Sequence, residues 1–238
     1  MRSFFYITSL ITLLLSLSSC LFMGPSVKGD GNVREEVRTV DEFHGVRVTS
    51  GMNVHLLHGE QPRVLIVADK NLHKVIETQV KDGTLEIKAL ANIWRASEKK
   101  VLVTSPDIRE ITGTAGSNIY TDNQLKADHL RIKGSAGSNL HVNVDGKNLE
   151  LSASSGSNVY LEGLSGEIII RVSSGANIKA GEMKSEKCEA KASSGGNVWI
   201  TAGKELVAEA SSGGNIFYYG TPSAISTSSS SGGNIIKK

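Results

Sequence analysis

The sequence predicts an all-β fold, a parallel β-helix (β-solenoid) with coils of about 19 residues. A Ser/Ala-Gly-x-Asn motif followed by Ile, Val or Leu recurs down the chain. From Gly116 onward its glycines are separated by 21, 19, 19, 20, 18 and 19 residues. Residues between the motifs alternate apolar and polar, the period of a strand with one face buried. No helical repeat has this spacing, whereas one β-coil per unit accounts for it. Composition agrees, because 25 glycines against 4 prolines, together with abundant Ser and Asn, call for closely spaced turns. With 39% hydrophobic residues and 21% charged residues the chain is neither collagenous, disordered nor a multi-span membrane protein. A net charge of +2 gives no field to gather nucleic acid, so no nucleic-acid partner is expected.

Residues 1–19 carry Arg2 and then an apolar run from Phe4 to Leu17, the size of a secretory signal and short for a bilayer span. The run ends in Leu17-Ser18-Ser19-Cys20, which resembles a bacterial lipobox, and Cys20 is therefore the expected lipidation site. Acylation at Cys20 predicts an envelope protein, held to a membrane through its N-terminus and most simply to the outer membrane. Residues 20–34, rich in Gly and charge without apolar periodicity, read as a lipidated tether outside the fold. With Cys20 acylated, Cys188 has no partner for an internal disulfide and is expected to be an inert core thiol.

Residues 35–110 form an N-terminal β region. The first motif, Gly51/Asn53, stands 65 residues before the next, and the gap reads either as degenerate coils or as a small antiparallel cap. Strand-like runs include Val64–Val67, Thr84–Ile87 and Val101–Val103, with Asp82-Gly83 as a hairpin turn and Asp69–Lys74 as one helical turn. Residues 111–238 are the repeat proper, with turn motifs Gly116/Asn118, Gly137/Asn139, Gly156/Asn158, Gly175/Asn177, Gly195/Asn197, Gly213/Asn215 and Gly232/Asn234. At these turns Gly supplies positive φ, Asn tolerates the left-handed region, and stacked asparagines are placed to form a ladder. Seven residues before each glycine come Leu130, Leu149, Ile168, Cys188, Leu206 and Ile225, an inward ladder. The last coil carries Thr227 and Ser229 at inward positions with Ile225 as its anchor, as expected of a terminal cap.

Phe43–Val48, Leu65–Asp69, Gly83–Ile87 and the Ser-Gly-x-Asn repeats together resemble the head GIN domain family of auto-transporter adhesins, over about residues 35–236. The family is typical of Bacteroidota and its members are often lipoproteins. The resemblance implies a β-helix and a role in adhesion, and it brings no catalytic residue. Right-handedness follows from it and from the general preference for right-handed parallel connections. No translocator barrel follows Lys238, so a complete autotransporter is not expected.

Little in the sequence points to catalysis. No Asp follows Asp145 and no His follows His141, and Glu150, Glu189 and Glu209 fall beside Arg131, Arg171 and Lys191 as a solvated salt ladder. His55 and His58, three apart on a strand, point to opposite faces and make a poor metal pair. No cofactor or metal is expected. One outward stripe stands out, four residues after each glycine: His55, Tyr120, His141, Tyr160, Lys179, Trp199, Phe217 and Ile236. Tyr120, His141, Tyr160, Trp199 and Phe217 are the candidate binding residues, for a glycan or a partner protein; aromatic packing that merely stabilises the sheet is the competing account. The alternatives to a binding protein are a self-associating structural envelope protein and a carbohydrate-active β-helix enzyme.

Overall fold

The structure is a computed structural model that describes residues 25–238; residues 1–19, read above as an export signal, and Cys20 lie outside the described residues. The chain is a β-solenoid built from two columns of stacked strands, joined on one side by the motif turns. In chain order the early strands are β1 (Ser26–Lys28), β2 (Val33–Arg38), β3 (Gly45–Val48), β4 (Asn53–His58), β5 (Arg63–Asp69), β6 (Ile76–Lys81), β7 (Thr84–Ala89), β8 (Asn92–Arg95) and β9 (Lys99–Ser105). The repeat then supplies β10 (Glu110–Gly113), β11 (Asn118–Thr121), β12 (Leu125–Gly134), β13 (Asn139–Ala153), β14 (Asn158–Val172), β15 (Asn177–Ala192), β16 (Asn197–Ala210), β17 (Asn215–Tyr219), β18 (Ala224–Ser229) and β19 (Asn234–Lys237). The long strands β13 to β16 bend so that their first half lies in one column and their second half in the other.

Each motif turn places two successive residues at positive φ. In the central coil these are Ser155 at 51° and Gly156 at 70°, and the Ser157 amide donates to the Ser154 carbonyl at 3.1 Å. Two left-handed residues closed by that bond make a type I′ turn, which matches the twist of the strands it joins. The left-handed residue beside glycine is therefore the preceding Ser or Ala, which corrects the sequence expectation for Asn. Each Asn instead opens the next strand and places its side chain between coils. Asn118 Nδ2 donates to Asn53 Oδ1 at 3.0 Å, and the chain of bonds continues through Asn139, Asn158, Asn177, Asn197 and Asn215 to Asn234. In a stack where every unit repeats the last, the amide that donates upward also accepts from below, so no inner member is left unpaired.

Both expectations for residues 35–110 hold in part, because the region is coil and cap together. β3 pairs in parallel with β10 on one side and β7 on the other, and β4 likewise with β11 and β9. The coil of β3 and β4 is thus inserted between one made by β7 and β9 and one made by β10 and β11, out of chain order. The 65-residue gap between motifs closes to a single step in space. Beyond β7 and β9 the columns end in antiparallel strands, β6 against β7 in one and β5 then β2 in the other. The tether boundary at residue 34 needs correction. β1 pairs with β8 and β2 with β5, and the buried carboxylate of Asp69 accepts from the Gly31 and Ser97 amides at 3.2 and 3.1 Å. A short polar segment becomes strand here because existing strand edges and a buried acceptor receive it; its own composition carries no such signal.

The core is continuous, with Leu149, Ile168, Cys188 and Leu206 stacked in register from coil to coil. Toward the C-terminus the coils narrow. The residue between Gly and Asn passes from Met52 through Ser117, Ser138, Ser157 and Ala176 to Gly196, Gly214 and Gly233, and a Cβ on Gly214 would stand 2.5 Å from the Ala192 carbonyl. The last coil departs from expectation. Ile225, read as its anchor, is 50% exposed, and Thr227 and Ser229 are exposed too. An inward position is buried only when coils cover it above and below, and β18 has a neighbour on one side alone. Cys188 is buried, its thiol 2.8 Å from Ser185 Oγ, and burial pushes its pKa up, partly offset by that hydrogen bond. Its reaction with a soluble disulfide reagent is expected to be on the order of a hundredfold slower in the native protein than after unfolding in urea. Equal rates would show that the inward ladder is open to solvent.

Candidate functional site

The outward stripe forms a stacked ladder down one column. Parallel, in-register strands place the same position of successive coils about one strand spacing apart, ~4.8 Å, close to the stacking distance of aromatic rings. Ring centroids are separated by 5.2 Å between Tyr120 and His141, 4.3 Å between His141 and Tyr160, and 5.1 Å between Trp199 and Phe217, with interplanar angles of 22°, 9° and 19°. His55 extends the stack beyond Tyr120, with its Nδ1 2.6 Å from Asp122 Oδ1. Lys179 fills the step between Tyr160 and Trp199, its ammonium 4.8 Å from the Tyr160 centroid and 6.0 Å from that of Trp199. Partial burial pushes the His141 pKa down, so its imidazole stays neutral at pH 7.

Stacking has a chemical consequence. Rings that cover one another's faces present their edges and polar tips outward, and the flat faces needed to stack on a sugar ring are occupied by neighbours. What the stripe offers to solvent is therefore a row of Tyr hydroxyls, imidazole, ammonium and indole edges.

Beside Lys179 the surface opens into a groove of about 890 Å³. It coincides with a break in the repeat register. The unit from Gly175 to Gly195 has 20 residues, and the register of β15 shifts against β14 after Tyr160 and against β16 after Ala180. Against β14 one residue, Leu161, is opposed by two, Ala180 and Gly181, and against β16 Gly181, Glu182 and Met183 have no register partner, so the flat sheet is broken there. Tyr219 lies over Gly181, 3.6 Å from where a Cβ would stand, and Thr201 Oγ1 donates to the Gly181 carbonyl at 2.6 Å. His141, Tyr160, Lys179 and Trp199 line the groove, and beside them on the same outward face so do Asn143, Glu162, Glu182 and Tyr219. Asn143 Nδ2 donates to Glu162 Oε1 at 2.8 Å. Of the five stripe residues singled out in the sequence, the groove takes His141, Tyr160 and Trp199, while Tyr120 and Phe217 continue the ladder outside it.

The sequence reading missed Glu162, Glu182 and Tyr219. A signal for Glu182 was present in the 20-residue unit that contains it. The salt ladder occupies the other column, with Arg131 3.0 Å and Arg171 3.4 Å from Glu150, and Lys191 3.2 Å from Glu209. Solvated pairs of this kind contribute roughly 0.2–1 kcal/mol each. The buried motif serines are engaged with backbone, as Ser117 Oγ donates to the Val48 carbonyl at 3.1 Å and Ser138 Oγ to that of Gly113 at 2.9 Å. Among the described residues no three His, Cys, Asp or Glu side chains gather as a metal site.

Solved structures share this fold. A putative adhesin from Bacteroides fragilis superposes with a TM-score of 0.80 at 21% identity, covering 89% of this chain and 100% of its own. A putative lipid binding protein from Parabacteroides distasonis gives 0.71 at 19% identity, covering 90% and 99%. A putative adhesin from Parabacteroides merdae gives 0.69 at 20% identity, covering 90% and 100%. No curated protein matches the chain. Residues 42–222 match the family described as "Putative auto-transporter adhesin, head GIN domain", and the chain belongs to that family.

Proposed function

We propose that this protein is a lipid-anchored, non-catalytic binding protein of the cell envelope that holds a glycan in the groove beside Lys179. Membership of a family described as adhesins implies a cell-envelope or surface protein. The observation that carries the glycan reading is the lining of the groove. Carboxylates from Glu162 and Glu182, the Asn143 amide, the Lys179 ammonium and the Tyr160 hydroxyl surround an indole edge, so hydrogen-bonding groups alternate with apolar surface. Hydroxyl-rich chains are bound by such mixed linings, because each sugar presents both hydroxyls and C–H faces. The groove is elongated across coils, which suits an oligosaccharide over a single small molecule.

Lipid attachment at Cys20 rests on Leu17-Ser18-Ser19-Cys20. The mass of the mature N-terminus and its loss in Cys20→Ala test it directly. Protease digestion of intact against lysed cells then reports which membrane face carries the domain; protection until lysis would exclude a host-directed adhesin. For the groove, a glycan array with wild-type protein identifies the ligand. Trp199→Ala, and separately Glu162→Gln with Glu182→Gln, are expected to weaken that binding at least about tenfold, while the β circular dichroism is unchanged. Undiminished binding by both variants rules the groove out, and turnover of the bound glycan would replace the binding reading with an enzymatic one.

A further inference from the structure

We propose that the face formed by β1 and β8 rests in the headgroup layer of the phospholipid bilayer. The proposal builds on lipidation of Cys20. It starts from how little chain separates that residue from the fold: Cys20 is five residues before Pro25, and the residues between are Leu21, Phe22, Met23 and Gly24. Even fully extended, that span is at most about 18 Å. The Pro25 carbonyl is already fixed, accepting from the Asn92 amide at 2.9 Å, and β1 continues directly into its pairing with β8. An acyl chain on Cys20 therefore keeps this two-stranded sheet within reach of the lipid surface.

The exposed side of that sheet has the chemistry of a membrane interface. Val27 and Ile93 turn inward against the core. Trp94, at 61% exposure the most exposed large hydrophobic side chain among the described residues, turns outward, and Leu90 in the bend before β8 is 56% exposed. Lys28 and Arg95 are register partners beside them, and the Lys28 ammonium lies 5.8 Å from the Trp94 ring. Among the described residues neither cation has a carboxylate within 4.0 Å, although ion pairs are common on the rest of the surface. Indole rings concentrate at the boundary between headgroups and acyl chains, and unpaired Lys and Arg beside them meet lipid phosphates. A second copy of the chain would also cover Trp94, but the five-residue leash brings the bilayer to this face whatever the protein concentration.

The test uses the mature chain purified from membranes, its acylation read by mass spectrometry, with Trp199→Phe so that Trp94 is the only tryptophan. The protein is reconstituted into phosphatidylcholine vesicles containing phosphatidylglycerol, with and without brominated acyl chains. Trp94 emission is expected to shift to the blue on reconstitution and to be quenched at least about twofold by the brominated lipid. In an acylated, vesicle-bound protein, emission that stays at the position of water-exposed indole and is unquenched overturns the docking while leaving the anchor intact. A mature chain without acyl mass on Cys20 overturns both. A blue shift that follows protein concentration and ignores the brominated lipid assigns the face to a second copy and also overturns the proposal.

Discussion

Replacing Gly163 by alanine is expected to destabilise the protein by about 3–5 kcal/mol, whereas the same change at Gly156 costs about 1–2 kcal/mol. Both glycines have positive φ, +119° for Gly163 and +70° for Gly156. They differ in what surrounds them. Gly156 sits at the tip of a type I′ turn with nothing within 4 Å of where a Cβ would stand, so the only cost of alanine there is the left-handed backbone. Gly163 sits at the corner where β14 leaves one column for the other. A Cβ there overlaps the Val144 carbonyl oxygen of the preceding coil and stands 2.9 Å from its carbonyl carbon. Backbone on both sides is locked into parallel pairing, so neither coil yields without loss of ladder bonds. Against a typical total of about 5–15 kcal/mol, the Gly163 variant falls near the limit of folding. Urea midpoints for the two variants check the ordering, and equal losses would show that the corner is more pliable than its geometry.

Truncation along a single inward ladder gives the second large effect. Ile168→Ala is expected to cost about 2–5 kcal/mol and Ile225→Ala less than about 1 kcal/mol, although both residues occupy the same place in their coils. Ile168 is fully buried, with Leu149 and Cys188 in register above and below it, and its removal leaves a cavity that rigid strands do not collapse. Ile225 has Leu206 on one side and is half exposed, so its side chain has already forgone much of the transfer energy. Chemical denaturation of the two variants measures the contrast. A cost at Ile225 comparable to that at Ile168 would mean that the final coil is covered in solution.

The repeat phase makes much of this fold readable from the chain alone. Once Gly116 to Gly232 set the frame, counting outward from each glycine finds the inward ladder and the aromatic stripe, because stacked coils place equal offsets at equal positions. Three features lie beyond that counting. Pairing of β3 with β10 spans more than three units of chain, and no local pattern encodes which distant edge a strand will meet. β1 and β2 are polar segments that become strands only because β8 and β5 offer edges to them. The groove coincides with a break in the register around Gly181, so a search for regularity passes over it. The asparagines fall where the repeat puts them, and their role is mixed: the ladder between coils is theirs, and the left-handed turn position belongs to the Ser or Ala before glycine.

The crossed threading of β3 and β4 divides the molecule into two parts with different freedom to vary. At one end, coils made of residues far apart in sequence interlock, and removing or duplicating any one of them breaks the pairing of the others. From Gly137 onward each unit pairs its strands only with those of the units before and after it in the chain. Duplication of one such unit adds about 4.8 Å of length and leaves the interlocked end as it was. Copy number is therefore a dial for reach: descendants of this gene are free to lengthen or shorten the molecule by whole units while keeping one fixed base.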